Sequence, residues 1–471
     1  MKGSLMYGDF ELAGRIVAAD AGERYAIPDP VVVIDSREVV EGAVFVALPG
    51  DRTDGHQYVG EVFSKGASWA VVARDWFDAH GDGFAGPGRR FLVSEDPATA
   101  LQVLATRYRE RFDIPVIGVG GSNGKTTTKE MISAVLATEF SVHMSQGNRN
   151  NHLGVPLTLL QMRRDTGIAV VEMGINHPGE MSFLAGIARP THGLLTNIGH
   201  EHLEFFGSLE GVAEAEAELF GYLGAHGGTA FVNLDDQRLR EAGMGLPRRV
   251  CYGAAPDGDN ACWAEEVSTD RVGRVSFTLC SAQHRQPVSM QFIGRHNVIN
   301  ALASAAVGSH FGVSPAGIAE GLGSLLPAKG WKRMELLEGG GIVVLNDTYN
   351  ANPDSVRFAV DTLAGLECPG RKIAVIGDML ELGDTSVVEH EAIGRYIQQA
   401  PVDLLCTYGE LSRLCCRNAG TRCQGHYENM EELNRFLAGC VQAGDAVLFK
   451  GSRGMRLEIA AESLIRAKSG E

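Results

Sequence analysis

The sequence predicts an α/β protein of three domains: a small N-terminal α/β lobe, a central P-loop ATPase-like parallel sheet, and a C-terminal Rossmann-like domain. Three observations predict it. The chain has 471 residues, about three domains at roughly 150 residues each. From residue 115 onward, short β-branched runs alternate with helical patterns, the rhythm of a parallel sheet covered on both faces. Many of the 59 glycines directly follow such runs, where α/β proteins turn from a strand into a ligand-binding loop.

From Met1 to about Phe112 the chain reads as short strands, VVVID at 31–35 and VFVAL at 44–48, followed by the polar loop PGDRTDGH. A clearer strand–helix alternation begins at PVIGV (115–119) and continues through IAVVEM (168–173), LLTNI (194–198) and TAFVNLD (229–235). The stretch 250–293 alternates as an antiparallel extension and precedes the alanine-rich helix NVINALASAAVGSHF. A second series follows with IVVLND (342–347), KIAVIGD (372–378), DLLCTYG (403–409) and DAVLFKG (445–451). Domain boundaries near 113 and 328 give units at 1–112, 113–327 and 328–471.

Hydrophobic residues at 44% and charged residues at 21% exclude a disordered, collagenous or coiled-coil chain. The net charge of −16 has the wrong sign for gripping a nucleic-acid backbone, so no nucleic-acid partner is expected. No apolar run reaches the roughly 18 residues that cross a bilayer. Asp9 and Glu11 stand where a secretory signal would be apolar, so a cytoplasmic protein with no membrane span is expected. The nine cysteines form no C-x-x-C pair and read as reduced thiols rather than a disulfide framework or zinc ribbon.

The strongest chemical signal is GVGGSNGKTTTKE at 118–130, between the PVIGV strand and a helix with apolar Met131, Ile132, Val135 and Leu136. Gly121, Ser122, Asn123, Gly124, Lys125, Thr126 and Thr127 would form a loop whose backbone N–H groups face phosphate oxygens. Lys125 reaches the terminal phosphates and Thr126 ligates Mg²⁺, making ATP or GTP the natural ligand. The G-x-x-x-x-G-K-[ST] pattern departs at its first glycine, where Val119 stands. A glycine turn that only caps a helix is the plain alternative. GNRNNHLGVP around Asn151, VVEMGINHPGE around Glu172 and TNIGHEHLEFFGS around His202 follow strand ends in the same domain, where ligands collect. A carboxylate and an imidazole there would bind a second cation or orient a carboxylate substrate, or else serve as caps and internal hydrogen bonds.

The G-S-N-G-K-T-T loop, the E-M-G element and the E-H-L-E segment resemble the ATP-dependent Mur ligases of peptidoglycan synthesis. So do DSREVVEGAVFVALPGDRTDGH (35–56), GRHNVIN (294–300), NDTYNANPDSV (346–356) and GDMLELG (377–383), in the family's order over nearly the whole chain. The last two look most like the member that joins D-alanyl-D-alanine to UDP-N-acetylmuramoyl-tripeptide. The resemblance implies that Lys125 and Thr126 hold ATP and a first Mg²⁺ completed by Glu172, and that His202 helps bind a second. It matches Asn297 and Asn300, three residues apart and so on one helical face, to the adenine side, and Arg333 and Asp347 to closure of the third domain as a lid. Ser36 and Arg37, with the GDRTDGH loop, would enter the uridine diphosphate pocket. Asn151, Asn350 and Asn352 are expected to touch substrate. Lys450, Ser452 and Arg453 would bind the dipeptide carboxylate or a nucleotide phosphate, or simply start a helix.

One position departs from the family. Its lysine, usually carbamylated to give a carboxylate for the second Mg²⁺, corresponds to Glu216 in GVAEAEAELF. Glu216 is expected either to stand in for that carboxylate or to belong to a solvated acidic face with Glu214 and Glu218. The reaction implied is ADP-forming amide ligation through an acyl phosphate, using ATP and two Mg²⁺ ions, in a monomer with small-molecule substrates. Folylpolyglutamate synthase or an earlier Mur ligase would use the same chemistry on another acceptor. A nucleotide-driven switch would instead hydrolyse without an amine.

Overall fold

The computed structural model describes residues 2–18, 26–50, 53–84, 86 and 88–470. Asp51 and Arg52 of the polar loop expected at the uridine diphosphate pocket lie outside them.

Three larger sheets organise the described residues, beside an antiparallel pair of Ser4–Met6 and Ala26–Pro28. The first runs Arg15–Ala18, Arg90–Ser94, Trp69–Ala73, Val44–Val46 and Val32–Val33, parallel except for its first strand. The expected 31–35 strand shrinks to two residues because the Asp35 side chain accepts the Arg37 N–H and starts a 3₁₀ turn at Ser36–Glu38. The strands at 69–73 and 90–94 escaped the sequence reading: they are short, and buried apolar runs of that length lack a decisive period.

The second sheet has nine strands. Val142–Met144, Ile168–Glu172, Val116–Gly120, His192–Leu195, Thr229–Asn233, Arg249–Tyr252 and Asn260–Thr269 are parallel. Arg274–Cys280 and Arg285–Ile293 continue it antiparallel. Helices Lys125–Leu136 and Asn297–His310 pack together, and the small side chains Ala301, Ala303, Ala305 and Ala306 are buried there.

The third sheet, Glu335–Gly339, Ile342–Asp347, Ala446–Lys450, Lys372–Gly377, Leu404–Tyr408 and Cys423–Tyr427, is parallel apart from its first strand. One apolar cluster runs from Val116, Val171 and Leu203 of the central unit to Met379 and Leu382 of the last. The expectation of reduced thiols fails at one pair, because Cys416 and Cys423 form a disulfide. The turn between their helix and strand brings the Cα atoms to 5.2 Å, a pairing that C-x₆-C spacing does not announce.

Candidate active site

The phosphate loop leaves the C-terminal end of Val116–Gly120 and enters the helix Lys125–Leu136. Val119 is fully buried in the strand, in register with Glu172, so the turn is left to the glycines after it. Gly121 (φ 104°) and Gly124 (φ 84°) occupy left-handed backbone, and a Cβ on Gly121 would lie 2.5 Å from the Thr196 nitrogen. Asn197, expected within a strand, is in a loop. Its Oδ1 accepts the Asn123 N–H at 3.0 Å and its Nδ2 donates to the Asn123 carbonyl at 2.8 Å. The first helical amides therefore face the cleft with their dipole, as anion binding requires.

Lys125 donates to the carbonyls of Gly121 (2.5 Å) and Ser122 (3.1 Å) and lies 3.3 Å from Glu201 Oε2. Burial works against its ammonium, but Glu201, Glu216 and Glu172 outweigh that and raise its pKa. Glu216 is fully buried beneath the loop and accepts the Gly121 N–H at 2.8 Å. Burial pushes its carboxyl up to about 8, with Glu201 adding to the rise and Lys125 opposing it. Glu201 is raised as well, chiefly by burial.

Across the loop, the Thr126 hydroxyl donates to Glu172 Oε1 at 3.2 Å, and Asn150 Nδ2 donates to the same oxygen at 2.9 Å. Buried Glu172 Oε2, Glu201 Oε1 and Glu216 Oε1 have no hydrogen-bond partner. Thr126 and Glu172 suit a hard divalent cation, which takes oxygen ligands. The four residues expected around metal, Thr126, Glu172, His202 and Glu216, do not converge. Among the described residues no three His, Cys, Asp or Glu side chains meet at one point.

The last domain closes the other side. Asn352 caps the helix Pro353–Gly365, and its Nδ2 donates to Asn123 Oδ1 of the phosphate loop at 2.9 Å. His200 Nδ1 lies 3.0 Å from Asp354 Oδ2, and His202 Nδ1 lies 2.8 Å from Glu381 Oε2. Lys450, nearly inaccessible, pairs with Asp347 at 3.0 Å and donates to the Asn350 carbonyl at 2.5 Å. The Tyr349 ring has the Arg333 guanidinium 3.9 Å and that of Arg453 5.4 Å from its centroid. Asn297 Nδ2 donates to the Ile293 carbonyl and its Oδ1 accepts from Asn300 at 3.0 Å. Burial depresses the neighbouring His296 to about 4, keeping it neutral.

A cleft of about 300 Å³ between these walls is lined by Ser122 to Thr127, Asn151, Glu172 and His202. From the other side come Asn297, Asn300, Arg333, Asp347, Asn350, Asn352 and Lys450. Six expected residues are absent from its lining. Gly121 and Glu216 lie behind it. Ser452 is spent within its own domain, its hydroxyl accepting the Leu380 N–H at 2.8 Å. Arg453 lies against the Tyr349 ring. Ser36 and Arg37 belong to the first domain, where Arg37 pairs with its neighbour Asp35 at 2.5 Å. Sequence reasoning assigned no role to Glu201, Asn150, His296 and Tyr349, which line the same cleft; each lies inside a quoted motif, next to a residue that was assigned one.

Three family models match in order: "Mur ligase family, catalytic domain" at 31–109, "Mur ligase middle domain" at 119–308 and "Mur ligase, glutamate ligase domain" at 332–453. The chain is 36% identical over 441 residues to the UDP-N-acetylmuramoyl-tripeptide–D-alanyl-D-alanine ligase of Bacillus subtilis, covering 93% of each chain. It is 32% identical over 451 residues to the Escherichia coli protein of that name, covering 95% of this chain and 94% of the other. Among solved structures, MurF from Acinetobacter baumannii superposes with a TM-score of 0.85 at 30% identity, over 98% of this chain and 99% of that one. MurF ligase from Thermotoga maritima in complex with ADP gives 0.81 at 28% identity, over 94% and 98%.

Proposed function

The chain belongs to the Mur ligase family, and from that premise we infer that it is an ATP-dependent, ADP-forming peptide ligase. It joins D-alanyl-D-alanine to UDP-N-acetylmuramoyl-tripeptide in peptidoglycan precursor synthesis. The observation that carries this reading is full-length similarity to enzymes of that name, together with a phosphate loop facing a cleft closed by the last domain.

A carboxylate is a poor electrophile because its oxide leaving group is too basic. Transfer of the ATP γ-phosphoryl group to the tripeptide carboxylate forms an acyl phosphate and ADP. The dipeptide amine then attacks the acyl carbon, an amide bond forms, and inorganic phosphate leaves. In this reading Lys125 and the loop amides neutralise the phosphates, Asn297 and Asn300 face the base, and Lys450 and Arg333 meet anionic groups from the lid side. Thr126 and Glu172 would hold a first Mg²⁺, and His202 with Glu201 would offer donors for a second. A divalent cation at that place would supply screening of the meeting anions. Glu216 acts from behind the loop through Gly121. Residues 1–112 receive the uridine diphosphate end, 113–327 the ATP, and 328–471 the amine, the last closing to exclude water from the acyl phosphate. A monomer in the cytoplasm completes the reading; among the described residues no helix is long and apolar enough to cross a membrane.

Coupled ADP release with synthetic UDP-muramoyl tripeptides carrying lysine or diaminopimelate tests it. Sustained turnover is expected only when D-alanyl-D-alanine is added. Faster product formation with free D-glutamate, L-alanine or diaminopimelate would place the enzyme elsewhere in the family, and turnover without any amine would favour a hydrolytic switch.

A further inference from the structure

Lys129 lies one turn after Lys125 on the same helix, yet its side chain has no solvent exposure. An isolated buried ammonium is costly, so its partners define its purpose. Its Nζ donates to the Ser145 carbonyl at 2.7 Å and the Gly147 carbonyl at 3.4 Å. It lies 3.2 Å from Glu130 Oε1 and 3.5 Å from Glu172 Oε2. The two Glu172 oxygens are thus divided. Oε1 takes the Thr126 hydroxyl and Asn150 amide, while Oε2 has only the charge of Lys129 beside it.

The geometry points to Lys129 as a positioning residue that holds the Oε2 side of Glu172 and so aims its Oε1 at the cation held with Thr126. The lysine spans three elements: the phosphate-loop helix, the strand that ends in Glu172, and the 145–147 segment leading to Asn150. Its ammonium stands beside the buried Oε2, away from the Oε1 that takes the Thr126 hydroxyl. The carbonyl contacts at 145 and 147 fix the start of the loop that carries Asn150. A merely space-filling lysine would not require this charge. The inference rests on the reading of Glu172 as a Mg²⁺ ligand.

The test measures Mn²⁺ binding to the full chain with ADP by electron paramagnetic resonance, alongside the Mg²⁺ dependence of ADP release. Lys129→Met, which keeps length and removes charge, should weaken Mn²⁺ binding and raise half-saturating Mg²⁺ by about tenfold or more, as loss of outer-shell support does. At saturating Mg²⁺, kcat should largely return. Glu130→Gln should change neither. Glu172→Gln separates the two readings: if it leaves Mn²⁺ binding intact, the Glu172 assignment fails. If it abolishes binding while Lys129→Met does not weaken it, the Lys129 inference alone is overturned. Should Lys129→Met not fold, Lys129→Met with Glu172→Gln should recover a cooperative melt, because no uncompensated carboxylate remains. A double variant as unstable as the single one overturns the pairing.

Discussion

Glu216 accepts the backbone N–H of Gly121 at 2.8 Å from a fully buried position beneath the phosphate loop. The carboxyl thereby fixes the left-handed turn that opens the loop, and with Glu201 it lies beside Lys125. The loop is thus held by acids whose carboxyl groups burial pushes toward protonation. Nucleotide phosphates would compete with them for the same ammonium.

Lys125→Ala is expected to cut turnover at least about a hundredfold, since a preorganised charge is removed from the transferring phosphoryl group. The fold should survive, because Glu201 and Glu216 can take up protons when their counter-charge goes. ADP release and thermal melting check the two halves; near-normal ligation by the variant would refute the loop assignment.

Glu216→Gln should alter the pH dependence of stability in a defined sense. A carboxyl raised from its usual 4.5 to about 8 contributes stability that is complete below 4.5 and is lost as pH rises through about 8. The melting temperature of the unsubstituted ligand-free protein relative to Glu216→Gln should therefore fall between pH 5 and 8. Parallel curves would show that the buried carboxyl does not titrate there. Activity should also be indifferent to bicarbonate, because Glu216 brings its own carboxyl to the Gly121 N–H.

Asp354→Asn weakens a contact between domains. His200 is raised above its ordinary pKa by the Asp354 hydrogen bond, and Asp354 stays below its own despite burial. Because the pair is partly exposed, solvent screening limits the loss to roughly three- to tenfold in kcat/KM for ATP. The defect relative to the unsubstituted enzyme should shrink as pH rises above the His200 pKa, where the pairing is already weaker. Kinetics at two pH values decides it.

Tyr349→Leu should raise KM for ATP or for the dipeptide severalfold, while Tyr349→Phe should not. The aromatic face holds Arg333 and Arg453, and each cation–π contact contributes about 1 kcal/mol. Equal behaviour of Leu and Phe at 349 would assign the ring to packing alone.

The sequence alone determined the strand–loop–helix order around Lys125 and the two parallel series, while the resemblance to the Mur ligases implied a shared site for Glu172, His202, Asn297, Asn300, Arg333 and Asp347, which line one cleft. These were legible because they rest on local periodicity and contiguous motifs: β-branched runs form strands, glycines release the turn, and the next helix presents its amides. The acidic helix was not. Glu214, Glu216 and Glu218 look alike in sequence, yet Glu214 faces solvent, Glu216 is buried on Gly121, and Glu218 accepts the N–H groups of Gly179 and Ser182.

Only the tertiary structure decided which acid entered the interior, that Asn150 rather than Asn151 reaches Glu172, that Ser452 is consumed by the Leu380 backbone, and that Lys129 is a counter-ion. Glu216 is 95 residues from Gly121, and Asn352 is 229 from Asn123. Burial and charge pairing depend on which elements the packed sheets bring face to face, and a one-dimensional pattern of polar residues does not carry that information.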